Sequence, residues 1–308
     1  MTVSDVRLRS QAAASGRRRP RALGRRIQRP GVYFALPAIV LFAIFFAYPL
    51  VSSLWQSLTA TSAGVTRFVG LDQYVRLFAD PLIGKSLFNA GILLVIQVPL
   101  MMALAVGLAY LLNQSWLRFR SGFRVLHFLP AVTTLVAYSV VFRVMLTTDG
   151  GAINQMIGLV GIAPVDWLNN ETWARVALIA SITWRWTGYN MVIILAGLQA
   201  IPAELYEAAR MDGAGRWTIF SKIVIPQLRP VLLFTGITST IGALQLFDEN
   251  FILTGGGPSD ATLTPVLYLY KVGFRQFDFG YASAIAWLLV ALTALIAFVQ
   301  FRITREKS

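Results

Sequence analysis

The sequence predicts an all-α, polytopic membrane protein with six transmembrane helices and no soluble domain. Of its 308 residues, 56% are hydrophobic and only 13% are charged, whereas soluble domains carry about 25% charged residues. Apolar runs of about 20 residues recur, and a helix of that length crosses a hydrocarbon core of ~30 Å. These runs lack the period-two alternation that transmembrane β-strands show.

The spans are expected at about residues 32–56, 86–112, 124–146, 173–198, 230–251 and 282–301, within a transmembrane domain of residues 31–308. Residues 1–30 hold nine arginines and one acid, which predicts a disordered basic tail. The first apolar run exceeds the 7–15-residue core of a signal peptide, so it is interpreted as an uncleaved span. Pro49 is expected to kink or end its regular helix.

The basic residues predict which side of the membrane each loop occupies. Nineteen of the 27 lysines and arginines lie in the two terminal tails and in the 113–124 and 199–229 loops, while five lie in the loops of the opposite side. The positive-inside rule therefore places both termini and the 199–229 loop in the cytoplasm. This distribution accounts for the net charge of +13 without a nucleic-acid partner. The alternative is a basic arm that binds DNA, RNA or anionic lipid.

The chain lacks the residues that thiolate catalysis, metal binding and nucleotide binding by a P-loop require. The chain has no cysteine and one histidine, His127, so neither thiolate catalysis nor a Cys- or His-based metal site is expected. Gly84-Lys85-Ser86 imitates the end of a phosphate-binding P-loop, but Ala79 occupies the position of the first glycine. The sequence therefore predicts no catalytic residue, no metal and no bound cofactor.

The 199–229 loop contains the pattern of a short helix. Pro202 suits a helix start, because its missing N–H falls among donors that are already unsatisfied there. Glu204 and Glu207 follow in the early turns, where the helix dipole favours negative charge, and Arg210 is spaced to pair with Glu207. Gly213 can adopt the left-handed backbone that ends a helix.

The same loop is too elaborate for a simple connector, which needs only a few residues where this one spends about thirty. Its first helix is expected to present a thin face built by Leu205, Ala208 and Ala209, which fits a cleft in another protein. A second, amphipathic helix is expected near 216–224, halted by Pro226 and Pro230.

These motifs carry a family resemblance. The run from Leu195 to Ala214, with Glu207-Ala-Ala and Gly213 followed nine residues later by Ile-Val-Ile-Pro, resembles the signature loop of bacterial carbohydrate ABC importer permeases. Phe247-Asp248, Leu253 to Pro258, and the start from Leu36 to Leu50 are similar to the maltose-type and glycerol-phosphate-type members. The chain departs from the family at Ile225, where leucine is more usual. The resemblance implies the type-I ABC importer permease fold, with its core at about 86–300.

The resemblance also implies partners for the loop. The segment 203–213 is similar to the coupling helix that enters a cleft of an ATPase subunit, which binds ATP and magnesium. The expected coupling residues are Glu204, Glu207, Ala208, Ala209, Asp212 and Gly213. A second homologous permease, two ATPase subunits and an extracytoplasmic solute-binding protein would complete the assembly in the bacterial plasma (inner) membrane.

Polar residues within the spans are candidates for a substrate path. Arg185 lies near the middle of the fourth span, where a charge is costly and should face a cavity or a partner. Aromatic faces with amide and hydroxyl groups suit a saccharide, so the predicted path comprises Trp184, Arg185, Tyr189, Asn190 and, through the resemblance, Gln245. The alternative for Arg185 is a buried tie between helices.

Three consecutive polar residues follow the fifth span. Asp248, Glu249 and Asn250 are expected to line the outer mouth of the path, with helix capping as the alternative. The leading functional hypothesis is a non-catalytic permease subunit of an ATP-driven sugar importer. A stand-alone secondary transporter, with Arg185, Asp248 and Glu249 coupling ions, is the main rival. An intramembrane enzyme is the third class considered, and the chain lacks the metal ligands that such an enzyme would need.

Overall fold

A computed structural model of the chain describes residues 29–62, 64–114 and 116–305, so most of the predicted tail, residues 1–28, lies outside the described residues. The predicted all-α fold is confirmed, apart from a hairpin in which β1 (Thr59–Ser62) pairs antiparallel with β2 (Val65–Phe68). The helices are α1 (29–56), α2 (Asp72–Ala79), α3 (Pro81–Leu112), α4 (Arg120–Val132), α5 (Leu135–Met145), α6 (Ala152–Gly158), α7 (Glu171–Gln199), α8 (Ala203–Met211), α9 (Arg216–Leu244), α10 (Asp248–Leu253), α11 (Pro265–Tyr270) and α12 (Phe279–Arg305).

The chain divides after Leu50 into two units, and the described part of the first, residues 29–50, is helical throughout. By length and apolar composition, α1, α3, α9 and α12 can each cross a membrane, with mean hydropathies of 2.4, 2.5, 1.2 and 2.4. Two bent pairs, α4 with α5 and α7 with α8, raise this number to six if each pair is one span. The six predicted spans correspond to this larger number.

The third predicted span, 124–146, is broken rather than continuous. Helix α4 ends at Val132, and α5 begins at Leu135 with a bend of 97° between them. Pro130 lacks the N–H that would continue the ladder of α4, and Thr133 and Thr134 are both extended. The Thr134 hydroxyl then accepts the Ala137 N–H at 3.3 Å, which caps the start of α5.

Prolines end fewer helices than the sequence predicts. Helix α1 continues past Pro49 to residue 56, because a π-helical turn at Ala43–Ala47 interrupts the regular helix just before the proline. In the same way α9 passes Pro226 after a π-helical turn at Phe220–Val224. The prediction that Pro226 and Pro230 halt a separate amphipathic helix is therefore wrong.

The fifth helix is also displaced from its predicted bounds. Helix α9 begins at Arg216 and ends at Leu244, whereas the predicted span covered 230–251. After a break at 245–247, the shorter α10 begins at Asp248. The non-spanning part of the predicted 199–229 loop is consequently reduced to about 200–215, most of which is α8. After α10 the chain turns at a glycine run, with Gly255 and Gly256 at positive φ.

Helices α4 and α7 cross with no side chain between them at one point. A Cβ atom built on Gly188 of α7 would lie 1.7 Å from the backbone oxygen of His127 in α4. Small residues permit such close crossings in membrane proteins, where packing rather than water drives helix association. Gly188 therefore fixes how closely α4 approaches α7.

Asp80, which caps the start of α3, ties several helices together. One of its oxygens accepts the hydroxyls of Tyr268 at 2.5 Å and Tyr281 at 2.6 Å, and the other accepts the Leu82 N–H at 2.9 Å. Burial alone would raise the pKa of Asp80. The three hydrogen bonds and the nearby Arg76 guanidinium outweigh burial and hold that pKa below its usual value.

Replacing Asp80 with asparagine is expected to lower the thermal stability of the purified protein, because hydrogen bonds to a charged group contribute about 1.5–3 kcal/mol. The folded pKa lies below the unfolded value of about 3.9, so the carboxylate stabilises the fold above about pH 4 and stops doing so as the pH falls through the folded pKa. Unfolding of wild type and Asp80→Asn should therefore converge on acidification, while Asp149→Asn, at an exposed carboxylate, should resemble wild type. An equal Tm difference at about pH 7 and about pH 3 would contradict this role.

Candidate functional site

Helix α8, the predicted coupling helix, is held against the long helices by one of its sides. Ala209 is 8% exposed and belongs to a buried cluster with Leu198 of α7 and Leu228 of α9. Tyr206 and Ala214 pack against the same cluster. A displacement of α8 would therefore be transmitted directly to α7 and α9, since packed cores resist continuous deformation.

The other side of α8 is open. Ala208 is exposed, Leu205 is 38% exposed and Met211 is 89% exposed. The predicted coupling residues Glu204, Glu207, Asp212 and Gly213 are exposed as well. The prediction that Ala208 and Ala209 share one outward face is wrong, because Ala209 faces the protein core. In this part of the described structure Glu207 and Arg210 form no ion pair, so both charges are available to a partner.

The end of α8 has the geometry that the sequence predicts. Gly213 has a φ of +74°, and its N–H donates to Arg210 O at 3.0 Å. The Ala214 N–H donates to Ala209 O at 2.9 Å, which completes a left-handed helix stop. No atom of the described residues lies within 4 Å of a Cβ built on Gly213, so its role here is conformational rather than steric.

A cavity of about 380 Å³ lies between α3, α5, α7, α9 and the start of α10. Among the predicted path residues, Tyr189, Asn190 and Gln245 line it, and so do the predicted mouth residues Asp248 and Glu249. Further polar and aromatic lining comes from Gln97, Trp186, Thr238, Ser239 and Phe247.

The cavity combines ring faces with hydrogen-bonding groups. The rings of Trp186 and Tyr189 meet edge to face, with centroids 5.8 Å apart. The Asn190 amide nitrogen donates to Trp186 O at 3.1 Å, and its amide oxygen accepts from Ser239 Oγ at 3.4 Å. Within its described lining there is no lysine, arginine or histidine, so the two carboxylates are its charged groups. Such a lining suits an uncharged, hydroxyl-rich ligand with apolar faces.

Arg185 lies in the wall behind the cavity rather than on its lining. Its guanidinium donates to Thr133 O at 2.8 Å and to Ala131 O at 3.4 Å, at the bend between α4 and α5. It also lies 4.5 Å from the Tyr138 ring centroid. Arg185 is 4% exposed, so the structure favours the second interpretation of the sequence, a buried tie between helices.

Two other predicted residues also lie outside the cavity lining. Trp184 is 50% exposed on the far side of α7, where its ring packs near Tyr138 and Phe142. Asn250 is fully buried and donates to Thr262 O and to Thr264 Oγ1, so it fixes the loop after α10. Its neighbours Asp248 and Glu249 line the cavity. Asn250 does not, because successive residues of a helix point in different directions.

Sequence reasoning missed several lining residues. Gln97 is a buried polar residue in the apolar helix α3, and polar residues within a span usually face the interior of a bundle, so a signal was present. Thr238 and Ser239 gave no such signal, because short hydroxyl side chains are ordinary in membrane helices, where they can bond to their own backbone.

Long apolar helices around a polar-lined cavity, with an exposed helix packed on their ends, define a multi-pass membrane transport protein. The chain belongs to the family of binding-protein-dependent transport system inner membrane components, whose model matches residues 12–307. The family resemblance noted in the sequence is thereby confirmed, and with it the type-I ABC importer permease fold.

Similar proteins are transport permeases. The chain is 45% identical over 282 residues to a lactose transport system permease protein of Rhizobium radiobacter, which covers 90% of this chain and 94% of that protein. It is 33% identical to a sulfoquinovosyl glycerol transport system permease protein of Agrobacterium fabrum, with 90% of each chain covered. A chain of a bacterial alginate ABC transporter, solved with an alginate pentasaccharide-bound periplasmic protein, shares the fold with a TM-score of 0.78 at 23% identity, covering 91% of this chain and 96% of that one.

Proposed function

We propose that this chain is a non-catalytic permease subunit of an ATP-driven carbohydrate importer. The observation that carries the proposal is the construction of α7. Its middle lines the cavity with Trp186, Tyr189 and Asn190, and its end at Gln199 lies beside α8, whose outer face is open. One rigid helix therefore joins a saccharide-compatible cavity to a docking helix.

The partners follow from what the chain lacks and what it exposes. It contains no complete P-loop, so ATP and magnesium belong to a separate ATPase subunit that receives α8 through Glu204, Glu207, Ala208, Asp212 and Gly213. Two ATPase subunits, a second homologous permease and an extracytoplasmic solute-binding protein complete the assembly. Like its lactose- and alginate-transporting relatives, the complex carries mono- or oligosaccharides.

The proposed topology places both termini and α8 in the cytoplasm of a bacterium, with the spans in its plasma (inner) membrane. Asp248 and Glu249 then lie towards the outer end of the path, since α9 runs from the cytoplasmic α8 to Leu244 and α10 follows. ATP-driven closure of the ATPase pair would displace α8 and, through the Ala209 cluster, rock α7 and α9. The cavity would thereby open alternately to the two sides.

Cavity residues are expected to control the affinity for sugar in transport. In the complete complex, Tyr189→Leu and Gln245→Ala should each raise the KM for saccharide uptake about two- to tenfold, since a lost stacking contact or hydrogen bond contributes about 0.5–1.5 kcal/mol. Both side chains are exposed to the cavity, so the fold should survive. Gln227→Ala, at an exposed glutamine of α9 that does not line the cavity, is the matched control. Unchanged KM values in both cavity variants would contradict the assignment of this path.

A further inference from the structure

A continuous series of aromatic rings starts in the cavity and leaves it. Adjacent ring centroids are 5.1 Å apart for Phe247 and Tyr270, 5.5 Å for Tyr270 and Phe274, 6.2 Å for Phe274 and Phe279, and 6.4 Å for Phe279 and Phe277. These separations lie within the range of interacting aromatic pairs. We call these five rings the aromatic ladder.

The two ends of the ladder differ in their surroundings. Phe247 forms part of the cavity wall, next to Asp248. At the far end, Phe274 is 61% exposed, Phe277 is 70% exposed and Phe279 is 48% exposed. These three rings are therefore accessible from outside the chain. The ladder therefore connects the cavity with an open surface.

Charged and amide side chains alternate with the outer rings. Lys271, Arg275, Gln276 and Asp278 fall between or beside them, and Arg275 and Gln276 are exposed. A surface that faces only hydrocarbon would not carry such groups, because an intramembrane charge is costly. Ring faces interleaved with donors and acceptors are what a sugar requires, since it has apolar C–H faces and a rim of hydroxyls.

The outer end of the ladder is held in place before any ligand arrives. Phe277 has a φ of +59°, a conformation that a bulky residue adopts only when its surroundings impose it. The Asp278 N–H donates to Val272 O at 3.2 Å, and its carboxylate pairs with Arg76 at 2.7 Å. The same carboxylate accepts the Tyr281 N–H at 3.1 Å. A surface fixed in this way loses little conformational entropy when it binds.

We propose that the aromatic ladder is a saccharide-binding track, on which sugar rings stack as they pass between the outer surface and the cavity. The proposal rests on the proposed function, because it assumes that saccharides use the cavity. In this arrangement the rings bind the apolar faces of pyranose units, while Arg275 and Gln276 bind their hydroxyls. The track suits oligosaccharides in particular, because several stacked positions are available to one chain.

The test asks whether the ladder needs aromatic rings or only apolar volume. In the complete complex, the double variant Phe274→Leu/Phe277→Leu should raise the KM for oligosaccharide uptake about tenfold, because ring stacking is lost at two positions of about 0.5–1.5 kcal/mol each. The kcat, the Tm and the ATPase activity without sugar should remain as in wild type. Phe274→Tyr/Phe277→Tyr should restore the KM. Phe78→Leu, at a phenylalanine that is 80% exposed and outside the ladder, is the control.

Each other outcome has a distinct meaning. A wild-type KM in the leucine variant overturns the track, whether the surface then proves to contact lipid, the second permease or the solute-binding protein. A raised KM that tyrosine fails to restore also overturns it, because the defect is then one of packing. If the wild-type complex transports no saccharide at all, the proposed function itself has failed, and the ladder variants are not needed to show it.

Discussion

Substitution of Ala208 by phenylalanine is expected to abolish ATP-driven uptake and to reduce co-purification of the ATPase subunit at least tenfold. Ala208 lies on the open face of α8 beside Glu207, where a large ring would obstruct docking into a cleft. Since Ala208 is exposed, insertion into the membrane and the Tm of the isolated permease should remain unchanged. Co-purification with the tagged ATPase and the Tm in detergent are the two measurements.

The neighbouring alanine provides a matched variant with the opposite result. Ala209 is buried against α7 and α9, so Ala209→Phe should lower the Tm, as overpacking costs about 1–3 kcal/mol. Ala152→Phe, at an exposed position of α6, should change neither the co-purification of the ATPase nor the Tm. Normal ATPase binding by Ala208→Phe would show that the open face of α8 is not the docking surface.

Replacing Gly188 with alanine is expected to prevent correct packing of α4 on α7. The new methyl group would approach the His127 carbonyl oxygen to 1.7 Å, so the helices must separate by more than 1 Å, roughly the shortfall from van der Waals contact. Arg185 lies one turn away on α7, and its hydrogen bonds to Thr133 at the end of α4 would be lost with the same movement. We expect a loss of about 3 kcal/mol or more and little folded protein in detergent.

The control for this prediction is Gly236→Ala. Gly236 lies in α9, and within the described part of the chain no atom is closer than 4 Å to a Cβ built on it. Alanine should therefore be neutral or stabilise the helix by about 0.4–1 kcal/mol. Size-exclusion profiles and Tm values of the two variants provide the comparison. If Gly188→Ala behaves like Gly236→Ala, the close crossing is not a requirement of the fold.

Much of the fold could be predicted because hydrophobic length determines which segments can cross a membrane. The apolar runs gave the class of protein, and four of the predicted ranges, 32–56, 86–112, 173–198 and 282–301, lie within five residues of the ends of α1, α3, α7 and α12. The break between α4 and α5 could not be predicted in this way, because hydropathy stays high across it. The local signal of the break was Thr134, which can cap the start of a new helix, shortly after Pro130. That signal conflicts with the uninterrupted apolar run, which favours a single span.

The effect of the prolines shows a second limit. Pro226 and Pro230 were expected to halt a helix, and Pro49 to kink or end one, because proline removes a hydrogen bond and clashes with the preceding turn. A π-helical turn before Pro49 and another before Pro226 widen each helix locally and let it continue. Nothing in a single sequence distinguishes a proline that ends a helix from one that follows such a turn.

The candidate site was predicted in its composition but only partly in its geometry. Tyr189, Asn190 and Gln245 line the cavity, whereas Arg185 does not, although a buried charge is the most conspicuous polar signal in a span. Arg185 instead satisfies carbonyl groups exposed by the bend that the sequence did not reveal. The sequence also did not predict which side of α8 is buried. Ala208 and Ala209 are both apolar, and only the packing of α7 and α9 determines that Ala209 is the buried one.

The central claim is that saccharide movement through this chain is driven by a separate ATPase. The direct measurement is accumulation of a labelled saccharide in proteoliposomes that contain the permease pair, with the solute-binding protein outside and ATP inside. Accumulation against a gradient is predicted only when both ATP and the ATPase subunits are present. Accumulation by the permease without ATPase, driven by an imposed proton or sodium gradient, would contradict the claim and favour a secondary transporter.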